Sequence, residues 1–186
     1  VDLEEHTLVG VVGGEKKAGA YQVVYNLAAQ LATQNCYTDV KMAFITRDEK
    51  YNGQDAWSFT EWLPHVWSQN KKSRYVALEP SQASDVCYDL TQMLRQRAEE
   101  ASAPGATPQK FNPHYVLFVE DESLLEGELI NKYIYGKDQR LGITTILMAE
   151  KYADLPNTCE CIIQNDGDYQ GIFNVKSGRN NGTCIH

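Results

Sequence analysis

No apolar stretch in this chain approaches the roughly 20 consecutive residues that a helix needs to cross a bilayer, so a soluble chain without a membrane span is expected over its 186 residues. The first residues, Val-Asp-Leu-Glu-Glu-His, lack both the basic start and the apolar run of a secretory signal. They also lack an initiating Met, as in a piece cut from a longer protein. Basic residues are scarce. Seventeen Lys and Arg stand against 25 Asp and Glu, and the net charge of -8 argues against the positive surface that direct nucleic-acid binding requires. Four histidines and five cysteines offer little for a metal centre. Cys159 and Cys161 have no second pair at zinc spacing and read as packing residues. An odd count that includes Cys36, Cys87 and Cys184 suits reduced thiols better than a disulfide framework. His65 has no Asp or Cys near it in sequence and reads as structural.

A more specific absence lies in Gly14 to Tyr21, G-E-K-K-A-G-A-Y. A phosphate-binding P-loop follows G-x-x-x-x-G-K-[ST]: its Lys reaches the terminal phosphates and its hydroxyl holds Mg²⁺. Here Gly14 and Gly19 keep the spacing, while Ala20 and Tyr21 take the Lys and Ser/Thr places. Neither a methyl group nor a phenol can do those jobs. The backbone amides from Gly14 to Ala20 remain available in principle to cradle a phosphate at a helix N-terminus. Lys16 or Lys17 could then stand in from within the loop.

The setting suits the frame. Leu8 to Val12 is a short β-branched apolar run, and Tyr21 to Gln34 carries Val23, Val24, Leu27, Ala28 and Leu31 at helical spacing. Further strands are expected at Asp39 to Thr46, Arg74 to Leu78, His114 to Val119, Gly142 to Met148, Cys161 to Gln164 and Tyr169 to Val175. Ser81 to Ala101 reads as a long amphipathic helix, Ser102 to Pro113 as a proline-rich loop, and Ser123 to about Tyr135 as helical. Strands without apolar/polar alternation imply burial on both faces, as in a parallel sheet covered by helices. One α/β domain is expected over residues 1–186, with its core at about 6–175 and a flexible tail at 176–186.

His114 to Val119 runs into Glu120-Asp121-Glu122, the outline of a Walker B segment, in which acids order Mg²⁺ and activate water. Acids here equally cap the next helix. Without a P-loop Lys they are expected to be unpaired and idle in catalysis. Trp57, Trp62 and Trp67 crowd one short stretch, W-S-F-T-E-W-L-P-H-V-W. They are read as packing a loop onto the sheet edge, with partner contact as the alternative.

The order of these blocks, with Y-T-D-V-K-M-A-F-I, E-W-L-P-H-V-W, N-P-H-Y-V-L-F-V-E-D, L-G-I-T-T-I-L-M and L-P-N-T-C-E-C-I-I-Q, resembles the ATPase-like module of the EssC/EccC proteins. Those are FtsK/SpoIIIE-family motor subunits of type VII secretion systems. The W-L-P-H-V-W block at 62–67 is its most particular element, whereas the glycine frame is shared with every FtsK-like domain. The resemblance implies a RecA-like P-loop NTPase fold, a mainly parallel sheet flanked by helices, with a degenerate nucleotide site formed by Gly14, Lys16, Lys17, Gly19, Ala20, Tyr21, Glu120 and Asp121. It implies the first of several tandem ATPase domains, after transmembrane helices, on the cytosolic face of the bacterial plasma membrane. The implied partners are downstream ATPase domains of the same chain and other secretion components, with a monomer when excised and a hexamer in the full assembly. No catalytic residue, metal or cofactor is expected; ATP and Mg²⁺ enter only in the alternative, a nucleotide-binding domain. The strand at 142–148 ends Met148-Ala149-Glu150, where active relatives tend to place a polar sensor.

Overall fold

Four strands are buried along almost their whole length, and they fix the architecture because such strands need cover on both faces. The computed structural model describes residues 3–47, 50–51, 54–104, 110–136, 140–167 and 169–174. In chain order these form β1 (Leu8–Val12), α1 (Ala18–Gln34), β2 (Val40–Ile45), the two-residue strands β3 (Lys50–Tyr51) and β4 (Gln54–Asp55), β5 (Val76–Ala77), α2 (Pro80–Ala101), β6 (His114–Val119), α3 (Asn131–Ile134), β7 (Ile143–Ala149), β8 (Cys161–Asn165) and β9 (Gln170–Asn174). Short 3-10 turns at Ser58–Trp62 and Pro64–Val66 carry the tryptophan-rich stretch.

The main sheet has the order β5-β2-β6-β7-β1-β8-β9. Every neighbouring pair is parallel except β8 and β9. Side chains alternate between its faces. On one face, Ala83, Val86, Cys87, Leu90 and Leu94 of α2 pack on Ala43, Ile45, Leu117 and Val119. On the other, Ala20, Tyr21, Val24 and Ala28 of α1 join Trp57 and Val66 over Val9, Val11, Phe44 and Phe118. Each large apolar side chain buried this way contributes about 1.5–3 kcal/mol. The result is a mixed α/β fold whose mostly parallel sheet lies between helices, as the apolar runs imply.

Two elements differ from expectation. The stretch from Ser123 to Tyr135 is not one helix: a 3-10 turn at Glu122–Leu125 and the four-residue α3 are separated where Glu126 is extended and Gly127 has φ 78°. Helix α1 starts at Ala18, three residues before Tyr21, so Gly19, Ala20 and Tyr21 belong to its first turn. Val175 and the tail at 176–186 lie outside the described residues. No helix of the described residues is long and apolar enough to cross a membrane.

Because β7 lies between β1 and β6, the glycine loop and the acidic strand end meet at the carboxyl ends of the sheet, one strand apart. That is where open α/β sheets bind ligands.

Candidate functional site

The loop leaving β1 is stitched to the end of β7. Gly13 N–H donates to Ala149 O at 3.0 Å and Gly14 N–H to Glu150 O at 3.1 Å. The chain then turns through Lys16 (φ 53°) and Lys17 (φ 55°), a left-handed conformation that costs each side-chain-bearing residue about 1–2 kcal/mol. The turn brings Lys16 N–H to the Glu150 carboxylate, 3.0 Å from Oε1. It also sends the Lys17 ammonium to the strand end, 2.7 Å from Glu120 O and 3.0 Å from Asp121 Oδ2.

The two glycines nearest the helix start are required by close packing. A Cβ on Gly13 would lie 2.1 Å from the Ala20 amide nitrogen, so the backbone leaving β1 lies directly over the first turn of α1. A Cβ on Gly19 would lie 1.6 Å from Asn165 O, at the end of β8. Gly19 N–H donates to Gly13 O at 2.9 Å, and Asn165 Nδ2 donates to Gly19 O at 3.1 Å. Of the amides that could face a phosphate, those of Gly14, Lys16, Lys17 and Gly19 thus donate to protein oxygens.

Glu120 is 1% exposed. Its carboxylate accepts from the Tyr21 hydroxyl, from Trp57 Nε1 at 3.2 Å and from Arg47 N–H at 2.8 Å. Three donors on a buried carboxylate replace the water that burial removes. Tyr21, at the Ser/Thr place, is buried with its ring 5.7 Å from that of Trp57. Asp121 is paired as well: burial opposes its charge, but hydrogen bonds from Ser123 and the ammonium of Lys17 outweigh that and hold its carboxyl down at about 2. Glu122 accepts from the Tyr135 hydroxyl at 3.1 Å. The expectation of unpaired acids at 120–122 is therefore corrected, because side chains remote in sequence converge on each of them.

A cavity of about 920 Å³ opens beside these groups. Of the expected site residues, its wall contains Lys16, Lys17 and Asp121; Gly14, Gly19, Ala20, Tyr21 and Glu120 lie off it. The wall carries Lys16, Lys17 and Arg47 against Asp121, Glu122, Glu126, Glu150 and Asp154, three cations facing five acids. A polyphosphate would meet a net negative surface there. Among the described residues, no group of three or more His, Cys, Asp or Glu side chains could hold a metal ion.

Sequence reasoning missed Arg47, Trp57 and Asn165 as members of this arrangement, and no local signal marks them. Glu150 was visible at the end of its strand, but only as the absence of a sensor. His65 is buried, its Nε2 lying 3.0 Å from Asn35 O. Trp57 is 2% exposed and Trp62 is 85% exposed, so the aromatic stretch divides between packing and surface.

No family model matches the chain. Among curated proteins it is similar to the ESX secretion system protein EccC of Geobacillus thermodenitrificans, with 25% identity over 166 residues, 89% of this chain and 11% of the relative. The ESX secretion system protein YukB of Bacillus subtilis is also 25% identical, over 92% of this chain and 11% of its own length. The chain thus spans about a tenth of the length of these relatives. Among solved structures, EssC (ATPases 2 and 3) from Geobacillus thermodenitrificans aligns with a TM-score of 0.60 at 14% identity, over 87% of this chain and 32% of that one. B204, the DNA-packaging ATPase of Sulfolobus turreted icosahedral virus, aligns at 0.52 and 14% identity over 96% of this chain and 98% of its own. The fold is that of a P-loop ATPase domain.

Proposed function

The chain is a homologue of the EssC/EccC-type ATPases of type VII secretion systems, and we propose that it is a motor module of that kind that keeps the ATPase fold without turning over nucleotide. In this reading it is the first of the tandem ATPase-like domains. It couples a preceding membrane part, at the cytosolic face of the bacterial plasma membrane, to downstream ATPase domains of the same chain and to other secretion components. Its work is done by surfaces, with neither ATP nor Mg²⁺ as cofactor, in an assembly that is hexameric although the excised module is monomeric.

The observation that carries the reading is the closed loop. Lys16 N–H is taken by Glu150, the Lys17 ammonium by Glu120 O and Asp121, and the first turn of α1 is covered by Gly13. Ala20 and Tyr21 are core residues, 0% and 3% exposed, and supply no group to a terminal phosphate or to Mg²⁺. A phosphate-release assay on the chain with Mg-ATP is expected to stay at background. Turnover that scales with protein concentration and is lost on Asp121→Asn would count against the reading.

One observation favours a second reading, nucleotide binding through a non-standard loop: the Lys17 ammonium reaches the acidic strand end and borders the cavity. In that case Lys16→Ala and Lys17→Ala together abolish a measurable nucleotide affinity. An affinity that persists unchanged removes lysine rescue.

A further inference from the structure

At the amino end of the sheet, Lys41 near the start of β2 carries a charge with no carboxylate partner among the described residues. The residue is 6% exposed, and among the described residues its side chain makes no hydrogen bond or ion pair; its ammonium, which keeps contact with solvent, lies 5.4 Å from the centroid of the Tyr37 ring. Burial first, then the second ammonium of Lys71, push the Lys41 pKa down, with the Cys36 thiol opposing them.

Lys41 opens on a cavity of about 470 Å³ walled by Tyr37, Lys41, Pro64, Trp67 and Lys71. The wall holds two ammoniums, two aromatic rings and a proline, and no acid. In a chain of net charge -8 that is a local inversion. The cavity at the carboxyl ends has five acids in its wall, and the one beside α2 has Glu61, Glu79, Asp85 and Asp89. The wall is also held in place. The Arg74 guanidinium lies 4.5 Å from the Trp67 ring centroid, and the two residues are bridged through their backbones. Lys71 sits on a turn at φ 56°, its N–H donating to Ser68 O at 2.9 Å.

We propose that this groove binds a small carboxylate carried on an aromatic or aliphatic body, with the carboxylate at Lys41 and Lys71 and the body against Tyr37, Pro64 and Trp67. Two point-charge donors match the two oxygens of a carboxylate. The wall has no Arg fork and no Ser or Thr hydroxyl, the groups that best suit a phosphate with more oxygens. The volume falls within the roughly 300–1,000 Å³ of small-ligand sites. Lying at the opposite end of the sheet from the glycine loop, the site does not depend on the reading of that loop.

The test is a calorimetric titration of the chain with 2-naphthoate. Saturable one-to-one binding is expected, about tenfold or more weaker in Lys41→Met and for the neutral 2-naphthalenemethanol. If that variant does not fold, Lys71→Met, on the exposed turn, should still weaken binding several-fold. No saturable binding of 2-naphthoate, equal binding of the alcohol, or unchanged affinity in the lysine variants would overturn the site. Tighter binding of 2-naphthyl phosphate would overturn the carboxylate. Tighter, Lys41-dependent binding of an acetylated Trp-Glu peptide would overturn the small ligand in favour of a protein segment.

Discussion

The two ends of the parallel sheet treat charge in opposite ways. At the carboxyl ends, Glu120 is 1% exposed and surrounded by three donors, and Lys17 and Asp121 hold each other at 3.0 Å. At the amino end of β2, Lys41 is 6% exposed with no carboxylate partner among the described residues. Burial of a charge is tolerated when the protein supplies the counter-groups. At the first end the protein supplies those groups to Glu120, where the sequence outline is that of a catalytic centre. The second has no such outline, yet it keeps an ammonium open to a cavity that a ligand could enter.

This contrast can be broken most directly at Glu120. Glu120→Ala strands the Tyr21 hydroxyl, Trp57 Nε1 and the Arg47 amide, and should lower stability by about 3–5 kcal/mol. A urea unfolding curve that scarcely moves would show that the carboxylate is not a hub. Next, Gly19→Ala forces a methyl group onto Asn165 O and should cost about 1–3 kcal/mol in the same experiment. An unchanged midpoint would mean that the glycine is not held there by packing.

The smallest effect is expected from Asp121→Asn, which removes a partly exposed ion pair and should cost roughly 0.5–1 kcal/mol near neutral pH. The folded-state carboxyl is held at about 2, below its unfolded value. The pairing therefore contributes fully above the ordinary Asp range near roughly 4 and is lost as pH falls toward about 2. Parent and variant should converge in stability over that window. A gap that persists at the acid end would assign the effect to something other than this charge.

Much of the fold was legible because it rests on local signals. The uninterrupted apolar runs at β1, β6 and β7 announce a sheet covered on both faces, and the spacing of Ala83, Val86, Cys87, Leu90 and Leu94 announces the buried side of α2. The break after Leu125 was not legible, since a single glycine with positive φ is tolerated in many contexts and decides only with its surroundings. At the candidate site the sequence shows which groups a P-loop would need and that Ala20 and Tyr21 stand in their places. It does not show what took over. Tyr21 and Glu120 are 99 positions apart, Trp57 and Glu120 63, and Lys16 and Glu150 134. Such pairings are set by strand order, so the acids look idle until the sheet places β1 and β6 one strand apart.

A calorimetric titration of the chain with Mg-ATP asks whether the glycine loop is closed by the protein's own groups. A closed loop predicts no saturable heat. Saturable binding in the micromolar range or tighter would contradict the account.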